Sequence, residues 1–92
     1  MQMFTLDLEG GGRMKFVYIA TKGADDPTLA TIPYHLAVNG SVEVGHETAI
    51  VLAGDAAEMV IGDTIERTEG IGLPPMRDLV AKLRDHNVPV YV

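Results

Sequence analysis

Met14-Lys15-Phe16-Val17-Tyr18-Ile19-Ala20-Thr21-Lys22-Gly23-Ala24-Asp25-Asp26-Pro27 decides the fold. Phe16 to Ala20 is a continuous apolar run, the pattern of a strand covered on both faces in a parallel sheet. It stops at Thr21-Lys22-Gly23. Asp25 or Asp26 can then cap a helix starting at Pro27, where a missing N–H costs nothing. Strand, acidic turn and helix in this order begin a βαβ unit.

Downstream, Leu29, Ile32, Leu36 and Ala37 fall on one helical face, with Pro33 early enough to bend the helix without ending it. Asn39-Gly40 followed by Ser41-Val42-Glu43-Val44 carries a hairpin signal, but a βαβ crossover favours a helix running to a Gly45 cap. Thr48 to Ala53 is a second apolar strand. Asp55 with Glu58 three residues on forms a capping-box-like start to a short helix ending near Gly62. Asp63 to Gly72 reads as a loop with an extended piece around Thr64-Ile65. Pro74-Pro75 opens the clearest helix, with Met76, Leu79, Val80 and Leu83 at i, i+3, i+4 and i+7 and an Asp78–Lys82 pair on its wet side. Asn87 ends it, and Val88 to Val92 reads as a last strand.

Upstream, Phe4, Leu6 and Leu8 alternate with Thr5, Asp7 and Glu9, a half-buried strand. Gly10-Gly11-Gly12-Arg13 breaks it with a flexible link. Residues 1–13 are therefore either a native edge strand or an appended leader, and residues 14–92 form a single domain. The expected fold is α/β: a small, mostly parallel sheet with helices on both faces, with an extra N-terminal edge strand on the first of those two readings.

Composition narrows the functions. The 92 residues carry a net charge of −6, and between Glu43 and Glu69 seven acids are opposed only by Arg67. No basic stripe is present to displace counterions, which excludes nucleic-acid binding. No apolar run reaches the roughly 18 residues of a membrane span. The start lacks a secretory signal, so a cytoplasmic location is expected. There is no cysteine, which removes disulfides, thiolate metal sites and any cysteine nucleophile from this chain. His35, His46 and His86 show no metal-ligand spacing, and the residues call for neither metal nor cofactor.

In an open parallel sheet, ligands sit beyond the carboxyl ends of the strands. That rim would hold Lys22, Gly23, Asp25, Asp26, Gly54 and Asp55, with His35 beside it or at an oligomer contact. The rim has two readings. It could bind a polar ligand, with Lys22 for an anion and the acids for a donor. Equally, it is a pair of turns whose carboxylates cap helices. No catalytic residue can be assigned, and the chain leans away from being an enzyme.

The same segments carry a family resemblance. Tyr18–Pro27, the Thr31-Ile32-Pro33-Tyr34 helix, Gly45-His46-Glu47 before a strand ending Leu52-Ala53-Gly54-Asp55, and Gly72-Leu73-Pro74-Pro75 together resemble the DsrE/DsrF-like family, with its YchN-like α/β fold. The likeness spans about Met14 to Val92 and rests on the order of the motifs. It implies one helix up to Gly45-His46, a homo-oligomer (a trimer or hexamer) and a protein partner in sulfur relay. The family's sulfur carriers place a cysteine after a strand like Val88–Val92. This chain stops there, without the family's final helix and strand. The resemblance thus implies an oligomeric accessory or partner-binding protein that is not itself a persulfide carrier. The alternatives are a ligand binder or enzyme using the rim, or a fragment of a longer sulfurtransferase-like protein.

Overall fold

The computed structural model describes residues 1–8 and 13–92. The chain runs β1 (Gln2–Leu8), β2 (Arg13–Ala20), α1 (Pro27–Leu36), a π-helical segment (Ala37–Val42), β3 (Glu47–Leu52), a 3₁₀ helix (Gly54–Val60), α2 (Thr64–Arg67), α3 (Met76–Asp85) and β4 (Val90–Tyr91). The strands form one sheet in the order β1-β2-β3-β4. β2 pairs with β3 and β3 with β4 in parallel, while β1 lies antiparallel on the outer side of β2. This is the expected α/β fold with a mostly parallel sheet, and the N-terminal strand is its edge. The Gly10-Gly11-Gly12 link lies outside the described residues.

Register fixes the two faces of the sheet, because side chains alternate along each strand. Tyr18 and Ala20 of β2 pair with Ile50 and Leu52 of β3, and all four are buried in the core. Against them pack Ala30, Tyr34, Ala37 and Val38 from α1 and its π extension. Ala56 and Met59 of the 3₁₀ helix and Met76, Leu79 and Leu83 of α3 complete the same layer. Every helical contribution to the core therefore lies on one face, which corrects the expectation of helices on both. The opposite face carries Val17, Ile19, Ala49 and Val51, with Phe4 paired to Val17 and Tyr91 paired to Val51. The run Phe16–Ala20 is apolar on both faces, but only one of them meets helices.

The face of α1 also differs from expectation. Leu29 and Leu36 are exposed, and the buried stripe is Ala30, Thr31, Pro33 and Tyr34. Small residues let the helix axis approach the sheet, and Tyr34 fills the space that remains. α1 continues without a break into Ala37–Val42, so the helical reading of Asn39–Val44 holds over the hairpin. Gly45 ends the segment at φ +86°, the left-handed position that suits glycine, and the His46 N–H closes on the Ser41 carbonyl at 2.9 Å. Ser41 and Thr48 share a buried hydroxyl contact of 2.8 Å that joins this helix end to β3.

Three further local readings change. Residues 64–67 are helical, not extended: the Thr64 hydroxyl donates to the Ile61 carbonyl at 2.7 Å, and Arg67 pairs with Asp63 at 2.9 Å. That pair holds the Asp63 carboxyl below the usual carboxylate range, first through the hydrogen bond from Arg67 and then through its charge. Lys82 donates to Asn39 Oδ1 at 3.1 Å, and no Asp78–Lys82 ion pair is made among the described residues. The last strand shrinks from Val88–Val92 to Val90–Tyr91. Asn87 does terminate α3, at φ 55°, and the Val88 N–H bonds the Leu83 carbonyl at 2.9 Å.

Candidate functional site

The carboxyl ends of β2 and β3 lie side by side, and the Ala53 N–H donates to the Ala20 carbonyl at 2.9 Å. Beyond them the Thr21–Asp26 turn meets the 3₁₀ helix. The Ala24 N–H donates to Glu58 Oε1 at 2.6 Å. Gly23 is buried against the Asp55 carbonyl and the Glu58 carboxylate, so close that a Cβ at this position would stand 2.6 Å from the Asp55 oxygen. Asp26 caps α1, accepting the Leu29 N–H at 3.2 Å, which selects it over Asp25.

The structure thus brings Gly23, Asp26, Gly54 and Asp55 to one rim as expected, with Lys22 and Asp25 exposed on it. It gives most of them structural duties. Glu58 does not complete a capping box with Asp55: the 3₁₀ helix has Ala53 at its N-cap and no side-chain cap bond. Its carboxylate reaches across to the neighbouring turn. Asp25, Asp26, Asp55 and Glu58 gather here with Asp26 on the helix N-terminus, so an anion is disfavoured, and the opposing charges are Lys22 and the amino terminus at Met1. Lys22 borders a shallow hollow of about 200 Å³ with Met1, Thr21, Leu29 and Ile32.

His35 does not belong to the rim. It sits nine residues along the chain from the cap, roughly 13 Å down the helix axis. Its Nδ1 accepts from the Asn39 amide at 3.0 Å, and Asn39 in turn accepts from Lys82, tying α1 to α3. At the amino edge of the sheet, a hollow of about 280 Å³ is bordered by Lys15, His46, Glu47 and His86. His46 Nδ1 accepts the Met14 N–H at 3.3 Å, and its ring tilts against Phe16. Among the described residues, no group of three His, Cys, Asp or Glu could hold a metal ion, and no helix is long and apolar enough to cross a membrane.

Two features have no counterpart in the sequence reading. The first is the sheet face bearing Gln2, Phe4, Val17, Ile19, Ala49, Val51 and Tyr91, mostly apolar and, among the described residues, without a helix over it; Ala49 is buried and Val17, Ile19 and Val51 are half-buried. Phe4 is 53% and Tyr91 57% exposed. At one end of this face Lys15 and Glu47 pair at 3.9 Å. The alternation within β2 and β3 contained the signal, since Val17, Ile19 and Val51 share a parity, but the missing helical layer left no local mark. The second is a cleft of about 320 Å³ on the helical side, between α3, β4 and the 3₁₀ helix. Its lining residues are far apart in sequence, so only the folded chain assembles it. No family model, curated protein or solved structure matches this chain.

Proposed function

We propose that this chain works by association: a DsrE-like accessory subunit that docks through its open sheet face to a second copy of itself and serves a sulfur-relay partner without carrying sulfur. The observation that carries the reading is the one-sided helical layer, which leaves Phe4 and Tyr91 more than half exposed and Val17, Ile19 and Val51 half-buried on the side away from the helices. Contiguous exposed apolar surface on a small domain marks an interaction site. The ordered motifs of residues 18–75 supply the family part of the reading, and the start without a secretory signal supplies the cytoplasmic setting it assumes.

A second copy fits the face in shape and charge. Twisted sheets pack face to face at about 10 Å with aligned strands, interleaving side chains from both inner surfaces. A two-fold contact can set Lys15 of one copy near Glu47 of the other, because the face carries one charge of each sign at the same end. Size sets the strength. Three strands of roughly 20–27 Å and the two-residue β4, about 4.8 Å apart, give a footprint on the order of 400 Å² before side-chain relief is counted. A standard stable interface buries about 800 Å² per partner, so this contact belongs to the reversible class. A trimer or hexamer would add a second contact, for which the β4 edge at Val90–Tyr91 is the open ladder.

Sedimentation velocity across a concentration series tests the proposal, with Phe4→Glu and Tyr91→Glu as probes. Both side chains are more than half exposed, so neither substitution removes core packing. The wild-type chain should show concentration-dependent dimers and the two variants monomers. A wild-type monomer at all concentrations, or variants that associate as the wild type does, would sink it.

A further inference from the structure

The cleft between α3, β4 and the 3₁₀ helix has a chemistry of its own. Its walls are aliphatic, including Leu52, Val60, Ile65, Val80 and Val90. Two polar groups interrupt them: Tyr34 and Arg84. Tyr34 is 3% exposed, yet no protein group among the described residues hydrogen-bonds its hydroxyl. Among the described residues, no fully buried side-chain oxygen or nitrogen lacks a partner. The Tyr34 hydroxyl must therefore keep part of the sliver that stays accessible, and the cleft that Tyr34 lines is its route to solvent. Burial raises the phenol to about 12, so at neutral pH it is a donor. Arg84 forms no ion pair among the described residues and adds a fixed positive charge on a chain whose net charge is −6.

An apolar slot with one neutral donor and one guanidinium is the pattern of a site for a small amphipathic acid. We infer that this cleft binds a short-chain aliphatic monocarboxylate, its tail between Leu52, Val80 and Val90 and its carboxylate taken by Arg84 and the Tyr34 hydroxyl. Guanidinium recognises carboxylate through paired N–H groups. A single cation on an acidic protein disfavours a phosphate dianion. The volume of about 320 Å³ stands at the small end of ligand pockets, which run ~300–1,000 Å³, and selects a short tail.

Isothermal titration of the full chain with butanoate, hexanoate and octanoate tests the inference, with octanol and octylammonium as charge controls. Affinity should rise roughly fourfold per buried methylene along the acids. Octanoate should bind about tenfold tighter than either control. Arg84→Gln, on an exposed side chain, should erase the preference over octanol while leaving octanol binding itself intact. Tyr34→Phe should weaken octanoate severalfold at unchanged volume. Failure of octanoate to saturate at millimolar concentration, equal binding of octylammonium, or an unaltered preference in Arg84→Gln would each overturn it. So would loss of self-association in Val80→Lys together with absent octanoate binding, which would assign the cleft to a second copy. Phe4→Glu, on the other sheet face, leaves octanoate binding unchanged, so this inference and the proposed association succeed or fail separately.

Discussion

The Glu58 carboxylate accepts the Ala24 backbone N–H at 2.6 Å, and this bond fastens the turn after β2 to the helix after β3. Both partners lie at the carboxyl rim, where α/β sheets usually keep their ligands. Here an acid that could have met a ligand holds the scaffold together.

Removing that tie should cost stability. Glu58→Ala is expected to lose about 1 kcal/mol, and Glu58→Gln less, because the amide oxygen can still accept. Gly23→Ala should be worse, by about 1–3 kcal/mol, since its Cβ collides with the Asp55 carbonyl and the Glu58 carboxylate. Urea titrations of the three variants provide the comparison. A Gly23→Ala protein as stable as the wild type would show that the turn is not packed this way.

The acidic pair before α1 divides unequally. Asp26→Ala should lose about 0.5–2 kcal/mol with the cap to Leu29, and Asp25→Ala less. Thermal melts rank them. Equal losses would mean that charge near the helix end matters and the single hydrogen bond does not.

Alkaline pH should destabilise the fold through Tyr34. Its folded value of about 12 lies above the ordinary 10.0, so between these values the unfolded chain has lost a proton that the folded chain keeps. Stability from this group is complete below pH 10 and falls as pH rises toward 12, by roughly 2–3 kcal/mol in all. Denaturation of wild type and Tyr34→Phe at several pH values isolates the contribution, as other groups titrate alike in both. Parallel curves for the two proteins would contradict the assigned burial.

Sulfur chemistry should be absent from the isolated chain. Attack on a persulfide donor requires a thiolate, and the sequence has no cysteine. Intact mass after incubation with a persulfide donor should be unchanged. A stoichiometric gain of one sulfur atom would require a carrier group outside ordinary thiol chemistry.

Much of this architecture was legible in local patterns. The Phe16–Ala20 run, the Asp26-Pro27 start, the Met76–Leu83 stripe and the Asn87 stop are each set by a few neighbouring residues, and each is found where those residues place it. What escaped is decided by distant parts of the chain. Continuous hydrophobicity cannot say whether the second face meets a helix or water. Leu29 and Leu36 form as regular a stripe as Ala30 and Tyr34, and only the close approach of helix to sheet chooses between them. Glu58 follows Asp55 by the spacing of a cap, but its partner lies 34 residues away in the sequence. For His35, beside the rim or at an oligomer contact by the sequence, the length of its helix rules out the first: nine residues from the Asp26 cap is roughly 13 Å. The cleft around Tyr34 joins residues from α1, β3, β4 and α3 and has no local signature.

In the proposed association, the bare sheet face would also set how the protein responds to ionic strength. Each copy carries a net charge of −6, so two copies approaching at neutral pH repel while their apolar faces attract. The repulsion is long-ranged and is screened as the Debye length shrinks from about 30 Å at 0.01 M salt to about 3 Å at 1 M. The attraction acts only at contact and is not weakened by salt. Added salt should thus draw copies together, the reverse of an assembly held by ion pairs. Mild acidification, by neutralising carboxylates, acts in the same direction.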